Sequence, residues 1–171
     1  GKTGGRFAEW TRDRDAATWY LKFRAYRAGS FGSDDFKDIT VNAAPPAGWV
    51  AASTGTPPAK GAPAGAGKIT LAAKGVRNFA LAFSEKFRTT KGTAAAGIVP
   101  VTVTFLDGQD GWGRAALAET IEAVNFYSGF LGAYPPTQVT ILPGAPGESG
   151  GASSTGVIYL PATEETDPLR E

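Results

Sequence analysis

The sequence predicts an α+β protein: an antiparallel β-sandwich portion followed by a small mixed β-sheet with one packed α-helix. Three observations predict it. Residues 18–87 alternate with period two in short runs separated by Gly- and Pro-rich turns, the pattern of antiparallel strands. Residues 112–131 repeat every three to four positions instead, placing Leu117, Ile121, Val124, Tyr127 and Leu131 along one helical face. Compact apolar runs flank that helix, IVPVTVTFL before it and QVTIL and GVIYLP after it, so the later half reads strand, helix, strand, loop, strand.

In chain order, 18–28 alternates Trp19, Leu21, Phe23 and Ala25 against Tyr20, Lys22, Arg24 and Tyr26, an amphipathic strand. Turn chemistry over 29–35 leads to a second strand, 36–42, with Lys37, Ile39 and Val41 on one side, broken by Pro45, Pro46 and Gly48. A short strand over 49–53 follows. Residues 54–67, TGTPPAKGAPAGAG, are too rich in Gly, Pro and Ala to pack and read as an exposed loop. The runs 68–74 and 76–87 hinge at Gly75, and in the second Phe79, Leu81 and Phe83 alternate with Ala80 and Ala82, as where a sheet meets a neighbouring layer closely. Polar, glycine-punctuated residues 88–97 read as the link between halves, with the domain boundary near Gly92: 1–92 sandwich, 93–171 mixed sheet.

In the second half Val99, Val101, Val103 and Phe105 share one side of a pleat, opposite Thr102 and Thr104. Glu119 and Glu122 fall off the helix stripe. Gly132 is placed to end the helix in a left-handed conformation, and Pro135 and Pro136 cannot continue it.

Composition narrows function. The 171 residues carry a formal net charge of +1, which argues against a dedicated nucleic-acid binder. The charge is uneven: 60–91 hold seven Lys/Arg and one acid, whereas 92–171 hold two Arg and nine acids, consistent with two dissimilar halves. There is no Cys and no His, so thiolate chemistry is excluded, together with the commonest general base and the commonest zinc ligand. No apolar run approaches the roughly 18 residues of a membrane span. The compartment stays open. The opening GKTGG, without Met or an apolar signal core, reads as the start of a processed piece.

Few side-chain groups suggest chemistry on their own. Asp107 and Asp110 in DGQDGWG invite a calcium reading, although Asp110 equally suits a helix N-cap. Glu119 and Glu122 share a helix face suited to acid/base work or simply to solvent. Glu164, Glu165 and Asp167 read as a solvated acidic run. Trp10, Trp19, Trp49 and Trp112 offer either a sugar-stacking platform or core anchors. The loop GAPGESGGASSTG lacks the Lys and the following helix of a phosphate cradle.

The wording of the sequence is more specific than its periodicity. PPAGWVAASTG, GVRNFALAFSEKF, VTVTFLDG, a helix ending FYSGFLGAYPP, then QVTIL and GGASSTGVIYLP follow one another in an order that resembles the aminopeptidase-N-like family of zinc metallopeptidases. The resemblance covers most of 36–161. It implies that the first half closes a β-sandwich and that the second opens a thermolysin-like catalytic domain. It also implies a parent protein that hydrolyses peptides, with zinc held by an H-E-x-x-H motif downstream of Leu160, where the intervening Glu would activate a metal-bound water. By itself this chain is then expected to hold no zinc and to cut no peptide. The expected partners are a peptide substrate for the parent and the remainder of the catalytic domain, with self-association through exposed apolar surface of the 98–160 sheet. The family's Gly-x-Met-Glu-Asn substrate loop matches Gly150, Gly151, Ala152, Ser153 and Ser154, which carries substrate binding by resemblance to Gly150, Gly151, Ala152 and Ser153. Ser153 stands where the family has the Glu that grips a free amino terminus. A serine offers no charge to an ammonium group, which puts exopeptidase selectivity in question; the nearby Glu148 is out of register. The competing expectation is a non-catalytic β-rich module that binds protein or carbohydrate.

Overall fold

A computed structural model describes residues 6–13, 18–25, 37–56, 67–77, 79–135, 138–143 and 152–160. The fold is α+β, and the chain divides into two compact units, Gly1–Lys86 and Phe87–Glu171.

Among its described residues the first unit has six antiparallel strands: β1 (Arg6–Asp13), β2 (Thr18–Ala25), β3 (Lys37–Ala43), β4 (Val50–Ser53), β5 (Ile69–Val76) and β6 (Phe79–Ser84). One sheet has the order β1-β2-β6-β4 and the other pairs β3 with β5. Their large side chains meet in one core. Phe79 and Leu81 of β6 are buried with Leu71, Ala73 and Val76 of β5, and Ile39 and Val41 of β3 pack against them. The large/small alternation of β6 has a physical use on both faces, since Ala80 and Ala82 opposite are wholly buried as well.

Between the sheets the chain runs through Gly55. Thr54 and Ala80 exchange hydrogen bonds, the Thr54 amide donating to the Ala80 carbonyl and the Ala80 amide to Thr54 Oγ1. Two residues on, Thr56 exchanges backbone hydrogen bonds with Ala72 of β5. At Gly55 a Cβ would stand 2.9 Å from the Phe79 ring and 3.1 Å from the Ala72 backbone, so only glycine permits the crossing. The expected hinge at Gly75 is instead a positive-φ residue inside β5, its amide held by Asp38 Oδ1 at 3.0 Å, and the strand breaks after Val76.

The described residues of the second unit form a five-stranded mixed sheet, β10-β11-β9-β8-β7, crossed by one helix: β7 (Phe87–Ala94), β8 (Val99–Leu106), α1 (Asp110–Leu131), β9 (Val139–Pro143), β10 (Ala152–Ser154) and β11 (Val157–Leu160). β9 lies parallel to β8 and to β11, while the outer pairs β7–β8 and β10–β11 are antiparallel. Val99, Val101, Val103 and Phe105 form the helix-facing side of β8, as their spacing predicts, joined by Val139 and Ile141 of β9 and by Ala116 and Val124 of α1. Glycine brings the two layers close. A Cβ on Gly113 would stand 2.5 Å from the Phe105 ring, and one on Gly92 would stand 2.8 Å from Ile121 Cδ1.

Three expectations about this unit need correction. Residues 88–97 are not a link, because 87–94 form β7, in full register with β8 from Phe87↔Leu106 to Ala94↔Val99. Gly92, read as the boundary, is therefore a strand position under the helix, and the units divide between Lys86 and Phe87. The helix stripe is right only for its first part: Leu117, Ile121 and Val124 face the core, but Tyr127 and Leu131 are exposed because the last turns of α1 lie clear of it. The inward line continues through Ser128, half-buried with its hydroxyl shielded from solvent. Gly132 ends the helix with φ 97° and ψ 179°, a positive φ with extended ψ rather than a left-handed helical residue.

Candidate functional site

The residues matched to the substrate loop of the peptidase family fall at one edge of the second sheet. Ala152, Ser153 and Ser154 form β10, paired antiparallel with Tyr159, Ile158 and Val157 of β11. Gly150 and Gly151 lie outside the described residues, as do Glu148, Glu164, Glu165 and Asp167. β10 closes the strand order, so its outer edge has no partner strand among the described residues. The neighbouring β11 is anchored by Val157 and Tyr159, both buried, while Ile158 and Leu160 pack on the helix-side core. The Ser153 side chain is exposed. The outer edge of β10 is a short row of backbone donors and acceptors, and Ser153 brings no charge to it.

The carboxylate pairs do not assemble into a site. Asp107 makes an ion pair with Arg88, Oδ2 to Nη2 at 3.1 Å, with both side chains about half exposed or more. Asp110 is the first residue of α1 rather than its cap, where its charge complements the helix dipole. Gln109 precedes it and uses Oε1 to accept the Leu106 amide at 3.3 Å, closing the turn before the helix. Glu119 and Glu122 are exposed on the outer face of α1. Among the described residues no three Asp or Glu side chains gather where a metal could sit. With no His or Cys anywhere in the chain, the residues present do not fit a zinc centre.

The tryptophans whose side chains are described serve packing. Trp49 meets Phe83 edge-on, with centroids 5.9 Å apart and planes at 62°, and Trp112 packs on the core beneath α1. The side chains of Trp10 and Trp19 lie outside the described residues.

Sequence reasoning missed the most prominent surface feature of the second unit. Phe126 stacks on Phe130, centroids 6.4 Å apart and planes at 17°, and meets Tyr127 edge-on at 5.3 Å. These three rings and Leu131 are 65%, 77%, 56% and 74% exposed, and Ile98 in the β7–β8 turn is 79% exposed. That turn is tied to the helix by Asn125, whose Oδ1 accepts the Ala95 amide at 2.7 Å. Apolar exposure expected on the sheet is thus found mainly on the helix, since Val99, Val101, Val103 and Phe105 of β8 and Val139, Ile141 and Leu142 of β9 are buried. A signal was present: Phe126 and Phe130, four apart, lie on the Glu119/Glu122 side and not on the Leu117–Val124 stripe.

No protein-family model matches the chain, and no curated protein matches it.

Proposed function

We propose that the chain is part of an aminopeptidase-N-like zinc metallopeptidase, comprising the end of its β-sandwich and the front of its catalytic domain, and that the parent protein hydrolyses peptides. The observation that carries the reading is the placement of 152–154: the stretch in register with the family's substrate loop is an edge strand. An extended peptide can add to such an edge through main-chain hydrogen bonds. The antiparallel unit followed by a strand-helix-strand crossover is the order the resemblance implies. Zinc, the activated water and the general base would come from residues beyond those that carry the resemblance. Ser153 in place of the family's Glu leaves the amino terminus without a counter-charge, so the parent would tolerate blocked peptides better than a strict aminopeptidase does.

The deciding experiment is to read the coding sequence beyond Glu171 and assay the extended protein. An H-E-x-x-H motif, zinc at one equivalent and zinc-dependent hydrolysis of free and acetylated peptides are expected. An extended protein without the motif, or one that binds zinc and cuts nothing, overturns the proposal. A second reading, a non-catalytic binding module, is favoured by the exposed Phe126/Phe130 cluster, and that outcome would leave it standing.

A further inference from the structure

We infer that the Asp107–Gly108 link is a site of spontaneous covalent modification, where the aspartate passes through a cyclic succinimide to isoaspartate, and that Arg88 restrains the reaction. The inference stands independently of the peptidase reading.

The chain holds two Asp-Gly pairs, Asp107–Gly108 and Asp110–Gly111, and no Asn-Gly pair. Glycine after aspartate matters because its amide nitrogen is the nucleophile and no Cβ hinders the approach. That nitrogen bonds to the side-chain carbon Cγ. One carboxyl oxygen leaves as water, carrying the amide proton and the proton of the carboxylic acid form. A water molecule then opens the ring at either carbonyl. Opening at the main-chain carbonyl leaves the backbone running through Cγ, an isoaspartyl link one carbon longer; opening at Cγ restores aspartate. No other reactant enters.

The structure separates the two pairs. Asp107 and Gly108 occupy the turn between β8 and α1, closed by the Gln109 amide donating to the Leu106 carbonyl at 3.0 Å. That bond passes over the Gly108 amide, which has no hydrogen-bond partner among the described residues. Gly108 has a φ of +86°, and no atom beyond its chain neighbours lies within 4 Å of the position of a Cβ. The Asp107 side chain is 61% exposed, so it has room to turn and water can reach the ring. Asp110 instead opens α1, and Gly111 lies within the first turn, which the Gly113 amide closes on the Gln109 carbonyl at 2.9 Å. Rotating the backbone at Asp110 to close a ring would pull that turn apart and shift Trp112 and Gly113, which pack on the core and against Phe105.

Arg88 opposes the reaction at Asp107. Its Nη2 holds Asp107 Oδ2 at 3.1 Å, and ring closure converts the carboxylate into a neutral imide, so the ion pair is lost on the way. An exposed pair is weak, and the restraint amounts to about 2–5-fold in rate.

The test ages the whole 171-residue chain for several weeks at neutral pH in water enriched in heavy oxygen, then maps the tryptic peptide 92–114, which contains both pairs. Each ring opening leaves one heavy oxygen at the aspartate that formed the ring. Heavy oxygen and isoaspartate are expected to accumulate at Asp107 several-fold faster than at Asp110, whereas in urea, with turn and helix unfolded, the two should keep pace. Arg88→Gln is expected to raise the folded-state rate at Asp107 by about 2–5-fold with far-UV circular dichroism unchanged. Asp107→Glu, which keeps the charge but needs a six-membered ring, should abolish labelling there. Equal or faster labelling at Asp110 in the folded chain, no label at Asp107, or a preference for Asp107 that persists undiminished in urea overturns the inference. So does a folded Arg88→Gln chain that isomerises no faster. The comparison of Asp107 with Asp110 needs no substitution and decides the matter even if Arg88→Gln fails to fold.

Discussion

The Phe105 ring lies so close over Gly113 that a methyl group there would stand 2.5–2.9 Å from three ring carbons. In an exposed helix interior, Gly→Ala stabilises by about 0.5–1 kcal/mol through backbone entropy. At Gly113 the clash wins, because Phe105 is buried and its ring cannot swing aside. Gly113→Ala is expected to destabilise by about 1–3 kcal/mol, lowering Tm by several degrees. Gly129→Ala, with open space around it, should raise Tm slightly in dilute solution. Thermal melts of the two variants check both signs, and a Gly113→Ala protein as stable as the parent would mean that helix and sheet are further apart than described.

The β7–β8 turn holds two L-residues at positive φ, Ala95 at 50° and Ala96 at 56°, ahead of Gly97 at 87°. Such a conformation costs an L-residue roughly 1 kcal/mol and costs glycine little. Ala96→Gly is therefore expected to stabilise by up to ~1 kcal/mol, less whatever glycine gains in unfolded-chain entropy. Chemical denaturation would read this as a higher midpoint with an unchanged slope.

Tyr134 is half-buried against the helix-side core, and burial raises its pKa above the ordinary 10.0. Because the folded form holds the phenolic proton more tightly than the unfolded chain, the associated stability is fully present below about pH 10. It is lost as pH rises from there through the raised folded value. Tyr134→Phe should lessen the fall in Tm between about pH 9 and 11 and leave the pH 7–9 region parallel to the parent. Parallel curves throughout would refute a buried phenol.

Zinc or calcium added to the 171-residue chain is expected to leave Tm unchanged and to give no hydrolysis of aminoacyl or peptidyl substrates. The His and Cys donors of zinc centres are absent from the sequence, and Asp107, the best calcium candidate, is already paired with Arg88. Differential scanning calorimetry with and without metal checks the first point, and a fluorogenic peptide assay the second.

Residues whose partner is near in sequence, or whose pattern is set by one buried face, were legible without the structure. The Val99–Phe105 alternation and the Leu117–Ile121–Val124 stripe are of this kind, as is the large/small alternation of Phe79–Phe83. β7 was not legible. FRTTKGTA has polar residues at most positions and a glycine in the middle, and it becomes a strand through its ladder with β8 and the helix above Gly92. β10 is three small residues whose extended form is fixed by β11. Tyr127 and Leu131 kept the helical period where the core had run out, since periodicity records which residues share a face and not how far the layer beneath extends. Of the residues matched to the substrate loop, Ala152 and Ser153 share an edge strand, a placement their identity alone does not dictate.

The central position of β9 has a consequence for how the second unit assembles. β7 and β8 need only the short turn at 95–98 to find each other, whereas β9 reaches β8 after the whole crossover through α1, and β11 can join only once β9 is in place. Contacts between distant parts of a chain carry the larger closure entropy and form late. The hairpin and helix are therefore expected to form first, and trimming Ile141 or Val157 should speed unfolding far more than it slows refolding.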